Sequence, residues 1–229
     1  MKLTLLAAAV AVALVCAAPA SARYIELGAA NAVNPTCPAE RCPVLVQLTG
    51  YQGRAAGGSK NPFYIRRDGF LTAFTINLGQ PTAEQITYFN DNFGSPSQVR
   101  ISVLRRGRTR RNRLSHRLIS QSEVVEVDDY FGSSPTFVLR RPLRVKRTNW
   151  IALTVPTWAP SFAVGLGKGN WWRSSRPRNT CDGPESLEDF ALQDLRDVAT
   201  FGCTYGGAKM LYTVTYVPDP RPTADSDAQ

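Results

Sequence analysis

The sequence predicts an all-β fold, an antiparallel β-sandwich of jelly-roll type with one or two short helices. Three observations predict it. Short runs of alternating apolar and polar residues recur along the chain, Gly, Pro, Asn and Asp separate them, and only two segments carry apolar residues at helical spacing. Residues 23–217 of the 229 read as one such domain, because a sandwich of roughly 200 residues commonly buries a single core.

Met1, Lys2 and the apolar run from Leu3 to Val15 lead to Ala20-Ser21-Ala22, the charged start, short apolar stretch and small-residue cleavage site of a signal peptide over residues 1–22. Cys16 lies inside it, and Val15 is a poor match for the small residue that precedes a lipid-modified cysteine. The run is too short for a comfortable membrane span, and no later one approaches about 18 apolar residues. A secreted protein, extracellular or at the cell surface, is expected. Loss of Lys2 with the leader lowers the formal charge from +9 to about +8, still strongly basic, which favours anionic partners without defining a fold.

Four cysteines then remain. In an exported chain Cys37, Cys42, Cys181 and Cys203 read as two disulfides; three pairings are open, of which Cys37 with Cys42 and Cys181 with Cys203 is expected. A zinc site fits poorly, since no C-x-x-C knuckle is present and the chain has one histidine.

In chain order, a first strand falls at Val44 to Leu48, and Gly57-Gly58-Ser59 forms a loop. Pro62 to Arg67 then pairs through an Asp68-Gly69 turn with Phe70 to Leu78, where Phe74, Ile76 and Leu78 share a face. From Pro81 a helix is predicted, with Ile86, Phe89 and Phe93 on one side and Gly94 at its end, plugging one end of the sandwich. Val99, Ile101 and Val103 mark the next strand, which leads into an arginine-rich hairpin tip. Extended segments follow at Leu118 to Val127 and at Thr136 to Lys146, the latter interrupted by Pro142 as at an edge or bulge.

Asn149 to Arg176 organises the chain. Ile151, Leu153 and Val155 face the core and Trp150, Ala152 and Thr154 the other side. Pro156 and Pro160 place Thr157, Trp158 and Ala159 in a corner; Gly165, Gly167 and Gly169 open a loop that ends at Trp171, Trp172 and Arg173. A long connection from Arg173 to Gly207 is tied by the Cys181–Cys203 bridge and includes a short helix around Leu187, Phe190, Ala191 and Leu195. The last strand, Lys209 to Val217, alternates cleanly, and residues 218–229 read as a disordered polar tail.

Several of these motifs occur together: Pro81-Thr82 with Asn90 and Phe93-Gly94; Pro156-Thr157-Trp158-Ala159-Pro160 with Phe162-Ala163; Trp172-Arg173-Ser174-Ser175-Arg176; the Cys181 and Cys203 pair; and a Tyr-rich last strand. The combination resembles a group of secreted actinobacterial proteins of unassigned function. The resemblance covers most of the mature chain and implies export and a β-sandwich. It carries no activity, ligand or catalytic residue.

Two surfaces are candidates for binding. Trp171 and Trp172, with Arg173 as a hydrogen-bond donor, suit a sugar ring; packing is the competing reading for both, and more so for Trp158. Arg105, Arg106, Arg108, Arg110, Arg111, Arg113 and Arg117 suit phosphates, sulfates or other anions, and no acid lies among them. The partner expected is an anionic polymer or polysaccharide of the cell envelope, bound without catalysis; a protein of the envelope is the alternative. No nucleic-acid-reading motif is present.

Enzymatic chemistry has little support. His116 stands within the arginine run, no serine lies in G-x-S-x-G and no H-E-x-x-H occurs. A glycosidase-type carboxylate pair drawn from Asp68, Glu123, Glu126, Asp128 and Asp129 is the surviving enzymatic reading. Asn90, Asp91 and Asn92, like Asp128 and Asp129, do not match a calcium loop. No motif calls for a cofactor or a metal.

Overall fold

The computed structural model describes residues 23–28, 33–57, 60–181 and 191–220. The expected signal peptide, most of the helix expected around Leu187 and the end of the expected polar tail lie outside them. In chain order the elements are β1 (Ile25–Leu27), β2 (Leu45–Arg54), β3 (Gly69–Ile76), α1 (Ala83–Phe93), β4 (Gln98–Arg106), β5 (Ser115–Gln121), β6 (Val125–Glu126), β7 (Thr136–Val145) and β8 (Asn149–Ala159). There follow β9 (Phe162–Ala163), β10 (Trp171–Ser174), β11 (Val198–Thr200), β12 (Cys203–Gly206), β13 (Lys209–Met210) and β14 (Tyr212–Pro218).

Two antiparallel sheets face each other. The smaller has the order β1-β14-β3-β7 and the larger β11-β5-β4-β8-β2-β10-β12, with β6 paired to β4. Setting the short accessory strands aside, the chain lays down β1, β2, β3, β4, β5, β7, β8 and β14, crossing repeatedly between the sheets. The resulting orders, β1-β14-β3-β7 and β2-β8-β4-β5, are those of a jelly roll. Both predicted disulfides, Cys37–Cys42 and Cys181–Cys203, are formed.

Alternation explains the core. Val99, Ile101 and Val103 of β4 with Ile151, Leu153 and Val155 of β8 meet Phe74, Ile76, Val145 and Val214 from the other sheet, all fully buried. Each such side chain contributes roughly 1.5–3 kcal/mol by leaving water. On β7 the four residues from Leu139 to Pro142 stand opposite Thr72 alone, so Pro142 occupies a bulge on an edge strand, where no ladder donor is lost.

Helix α1 starts in a capping box: Thr82 Oγ1 accepts from Gln85 N at 3.2 Å and Gln85 Oε1 accepts from Thr82 N at 3.0 Å. Gly94, at φ 93°, ends it. Phe89 and Phe93 turn inward against Trp158, so the helix closes one end of the sandwich. Replacing Thr82 with alanine is expected to cost about 1 kcal/mol, seen in urea unfolding, because an N-terminal donor loses its partner.

Three expectations need correction. Asp68-Gly69 does not turn a hairpin. The chain at 60–67 runs beside the start of β8, with Ile65 N bonded to Asn149 O at 2.9 Å and Ile151 N to Phe63 O at 3.0 Å. Phe63 stacks on Tyr212 with centroids 4.2 Å apart, and the Asp68 carboxylate accepts from Arg147 N. Gly69 answers a close approach: a Cβ there would stand 2.3 Å from Val217 O.

Nor does Trp158 sit in a corner between two strands. Strand β8 runs through to Ala159, and Pro156 falls at a bulge where Val46 pairs with Trp158 but Leu48 with Val155. Gln47, opposite, absorbs the offset at φ 41°. The third correction concerns Trp171 to Arg173, which lie on strand β10 between β2 and β12 and not on a loop. The described part of the long connection, from Ala191 onward, contains no helix and adds β11 and β12 to the larger sheet.

At the C-terminus the ordered chain continues past Val217. Asp219 N bonds to Asp68 O at 2.8 Å, and its carboxylate takes both ends of the Arg144 fork, at 2.8 and 2.7 Å.

Candidate functional site

The outer face of the larger sheet carries a second aromatic layer. Alternation along β8 turns Trp150 outward while Ile151 enters the core, and Tyr51 of β2, Leu104 of β4, Leu118 of β5 and Phe201 cover the same face. Tyr51 lies at the centre, its ring centroid 4.8 Å from that of Trp150, 5.6 Å from Phe201 and 5.4 Å from His116. All four are buried, although the strands beneath them read as half-exposed.

Arginines flank this layer on both sides. On β10, Trp171 and Arg173 point outward and Trp172 inward, where its ring stacks on Tyr205 at 4.5 Å and meets Phe162 edge-on. Trp172 therefore serves the core. Trp171 is half-buried over Gly53, and a Cβ on Gly53 would come within 1.9 Å of the indole. The Arg173 guanidinium lies 5.7 Å from the Trp171 ring, bonds through Nη1 to Phe201 O at 3.1 Å and shares its register position with Tyr51. On the far side Arg106 sits 5.8 Å from the Trp150 ring and donates through Nε to Arg113 O.

A row thus crosses four strands: Trp171, Arg173, Tyr51, Trp150, Arg106. It joins the two regions that the sequence singled out separately. Beyond Arg106 the β4–β5 hairpin carries Arg108, Arg110, Arg111 and Arg113, all exposed, with Arg105 exposed near its base. The tip is structured by paired bonds between Thr109 and Asn112, each N–H reaching the other's side-chain oxygen. Gly53→Ala is expected to unseat the Trp171 ring at a cost of about 2 kcal/mol, read as a red-shifted tryptophan emission and a lower unfolding midpoint.

Among the described residues, positive charge prevails around Arg173. Burial lowers the pKa of Arg173, Tyr51 opposes the shift, and Arg106, Arg178 and Arg113 add to it. Among the described residues the ion pairs all belong to Arg144, and none of them joins a described carboxylate to Arg106, Arg113, Arg173 or Arg178. Tyr51 is pushed up to about 12 by burial, against the pull of Arg173 and Arg106, and stays a neutral phenol. His116 is lowered to about 4, chiefly by burial and secondarily by the same two arginines.

The carboxylates considered for catalysis are engaged elsewhere. Glu123 Oε1 accepts from Arg140 N at 2.9 Å, Asp128 accepts from Ser97 N, and Asp68 holds Arg147 N. Glu84 and Asp91 lie on α1, and Glu126 pairs with Gln98 at the start of β4, the end of that strand away from the arginine hairpin. Asn90 Oδ1 accepts from the Trp158 indole N–H at 3.0 Å. Among the described residues no group of three or more His, Cys, Asp or Glu side chains could hold a metal ion, and no helix is long and apolar enough to cross a membrane.

Sequence reasoning missed Tyr51, Trp150, Phe201 and Arg178 as parts of this surface. Trp150 alone carried a signal, as a large aromatic on the supposedly polar side of β8. The chain matches no protein-family model, no curated protein and no solved structure.

Proposed function

We propose that the protein is an exported, noncatalytic module that binds an anionic polymer of the cell envelope, polysaccharides included. The observation that carries the reading is the meeting of the hairpin arginines with Arg173 and Trp171 on one face, without a neutralising carboxylate among the described residues. Clustered guanidiniums attract an anionic chain, displace its counterions and grip its oxygens in pairs. A rigid aromatic bed holds two of them in place, which lowers the entropy lost on binding. Two disulfides fit the oxidising setting that this role requires.

Cosedimentation with purified cell walls and with soluble anionic polymers, at low and high salt, tests the proposal. Pelleting should fall steeply as salt rises. The variant Arg108→Ala/Arg110→Ala/Arg111→Ala should bind about tenfold more weakly at low salt, across ligands of different chemistry. Salt-resistant binding, or a triple variant indistinguishable from the parent, would overturn the electrostatic reading; no pelleting at all would favour a protein partner, and sugar release an enzyme.

A further inference from the structure

Between residues 60–68, the β7–β8 turn and the residues after β14 lies a cleft of about 760 Å³, lined by Tyr64, Arg66, Arg67, Asp68, Arg147 and Asp219. That volume falls in the range of about 300–1,000 Å³ usual for small-molecule sites. The turn holds Arg147 at the edge of the cleft. Lys146 N bonds to Asn149 Oδ1 at 2.8 Å, Arg147 N to Asp68 Oδ1 at 2.7 Å and Thr148 N to Ile65 O at 2.9 Å. Thr148 is thereby kept at φ 77°, where a β-branched residue is strained.

The donors of the cleft are free and its acids are engaged. Arg66 and Arg147 are exposed, and their guanidiniums have no hydrogen-bond or ion-pair partner among the described residues; the Tyr64 hydroxyl likewise has none. Asp219 gives both oxygens to the Arg144 fork, and Asp68 lies 3.8 Å from the same guanidinium. Counting Arg144, four arginines stand against two aspartates. Trp150 links the cleft to the row on the larger sheet: Tyr64 meets its ring edge-on at 5.4 Å, and Arg106 sits 5.8 Å from the same ring.

This mixture of groups narrows the ligand. A simple anion offers acceptors alone, and the two carboxylates repel it. A neutral sugar leaves the arginines unused. A sugar ring that bears a negative group uses all three kinds of side chain: its anion meets guanidiniums, its hydroxyls donate to carboxylates, and its apolar face lies on an aromatic ring.

Resting on the anionic-polymer reading above, we propose that this cleft binds one acidic sugar unit of the polymer, with Arg66 and Arg147 on the anion, Asp68 and Asp219 on hydroxyls and Tyr64 against the ring. The hairpin arginines attract the polymer, and the cleft selects its monomer.

Amide NMR titration at about 0.15 M salt, where distant charges are largely screened, tests the site. Glucuronate, galacturonate and glucose 6-phosphate are the probes; glucose, acetate and inorganic phosphate are the controls. At least one acidic sugar should bind about tenfold more tightly than every control, shifting the amides of residues 64–68 and 147–149. Which one does so separates carboxylate from phosphate as the anion. Arg66→Gln/Arg147→Gln should erase the advantage over glucose, and because both side chains are exposed the fold should persist. The hairpin variant Arg108→Ala/Arg110→Ala/Arg111→Ala should bind the monosaccharides as the parent does.

Acidic sugars that bind no more tightly than the controls, or a double variant that binds them unchanged, would overturn the cleft site; salt-sensitive pelleting with anionic polymers would still uphold the broader reading. Acidic-sugar binding without polymer pelleting would overturn the polymer reading, and with it the polymer as the source of the sugar.

Discussion

Replacing Trp158 with alanine is expected to remove about 4 kcal/mol of folding stability, in the range of large aromatic truncations in a core. Its ring is fully buried, 4.9 Å from Phe89 and 5.4 Å from Phe131 by centroids, and its indole N–H is bonded to Asn90. Three elements meet on it: β8 supplies the residue, α1 supplies Phe89 and Asn90, and Ser97 Oγ donates to its carbonyl at 2.7 Å. The loss should lower the melting temperature by about 10 °C, at roughly 2–4 °C per kcal/mol for a domain of this size. Trp158→Phe should lose less, because ring contacts persist and the indole bond alone goes. Trp171→Ala, at the surface, should cost less than about 1 kcal/mol. A Trp158→Ala protein as stable as the parent would mean that α1 does not depend on this plug.

The second large effect concerns acid. His116 is fully buried among Tyr51, Trp150 and Phe201, with Nδ1 3.0 Å from Leu114 O and Nε2 without a partner. Burial lowers its pKa to about 4, with the Leu114 bond opposing and Arg106 and Arg173 adding to the shift. In the unfolded chain an ordinary histidine titrates near 6.5, so between these values the unfolded state holds a proton that the native state does not. Stability is therefore complete above about pH 6.5 and is lost as pH falls toward 4, by about 3 kcal/mol over the whole window.

His116→Phe should keep the aromatic packing and flatten that part of the profile in urea unfolding measured from pH 4 to 7. Asp128, whose carboxyl is pushed up mainly by burial, acts with the opposite sign at the acid edge, and the difference between parent and variant removes its contribution. Parallel profiles for the two proteins would show that His116 is not the acid-sensitive group.

Local pattern revealed the parts of the fold whose cause is local. Alternation placed Ile151, Leu153 and Val155 in the core, and Pro81 and Gly94 marked the two ends of α1. The errors arose where distant residues decide the conformation. Asp68-Gly69 carries turn chemistry, yet the glycine is needed because the Val217 carbonyl passes close by. Strand β10 is too short to show alternation, and what holds Trp171 in place is the missing side chain of Gly53, more than a hundred residues earlier. The binding face was half legible. Its arginines form a run that any reader notices, whereas its aromatic bed is assembled from Tyr51, His116, Trp150 and Phe201, each single in its own segment.

The acids beside one end of β4 and the arginines at the other make that strand a small electric lever. Over nine residues, about 30 Å, the strand runs from Gln98, beside Glu126 and near Asp128, to Arg106 at the root of the hairpin. In any external electric field such a strand feels a torque, and a negatively charged surface would draw the Arg106 end toward it and leave the Gln98 end facing away.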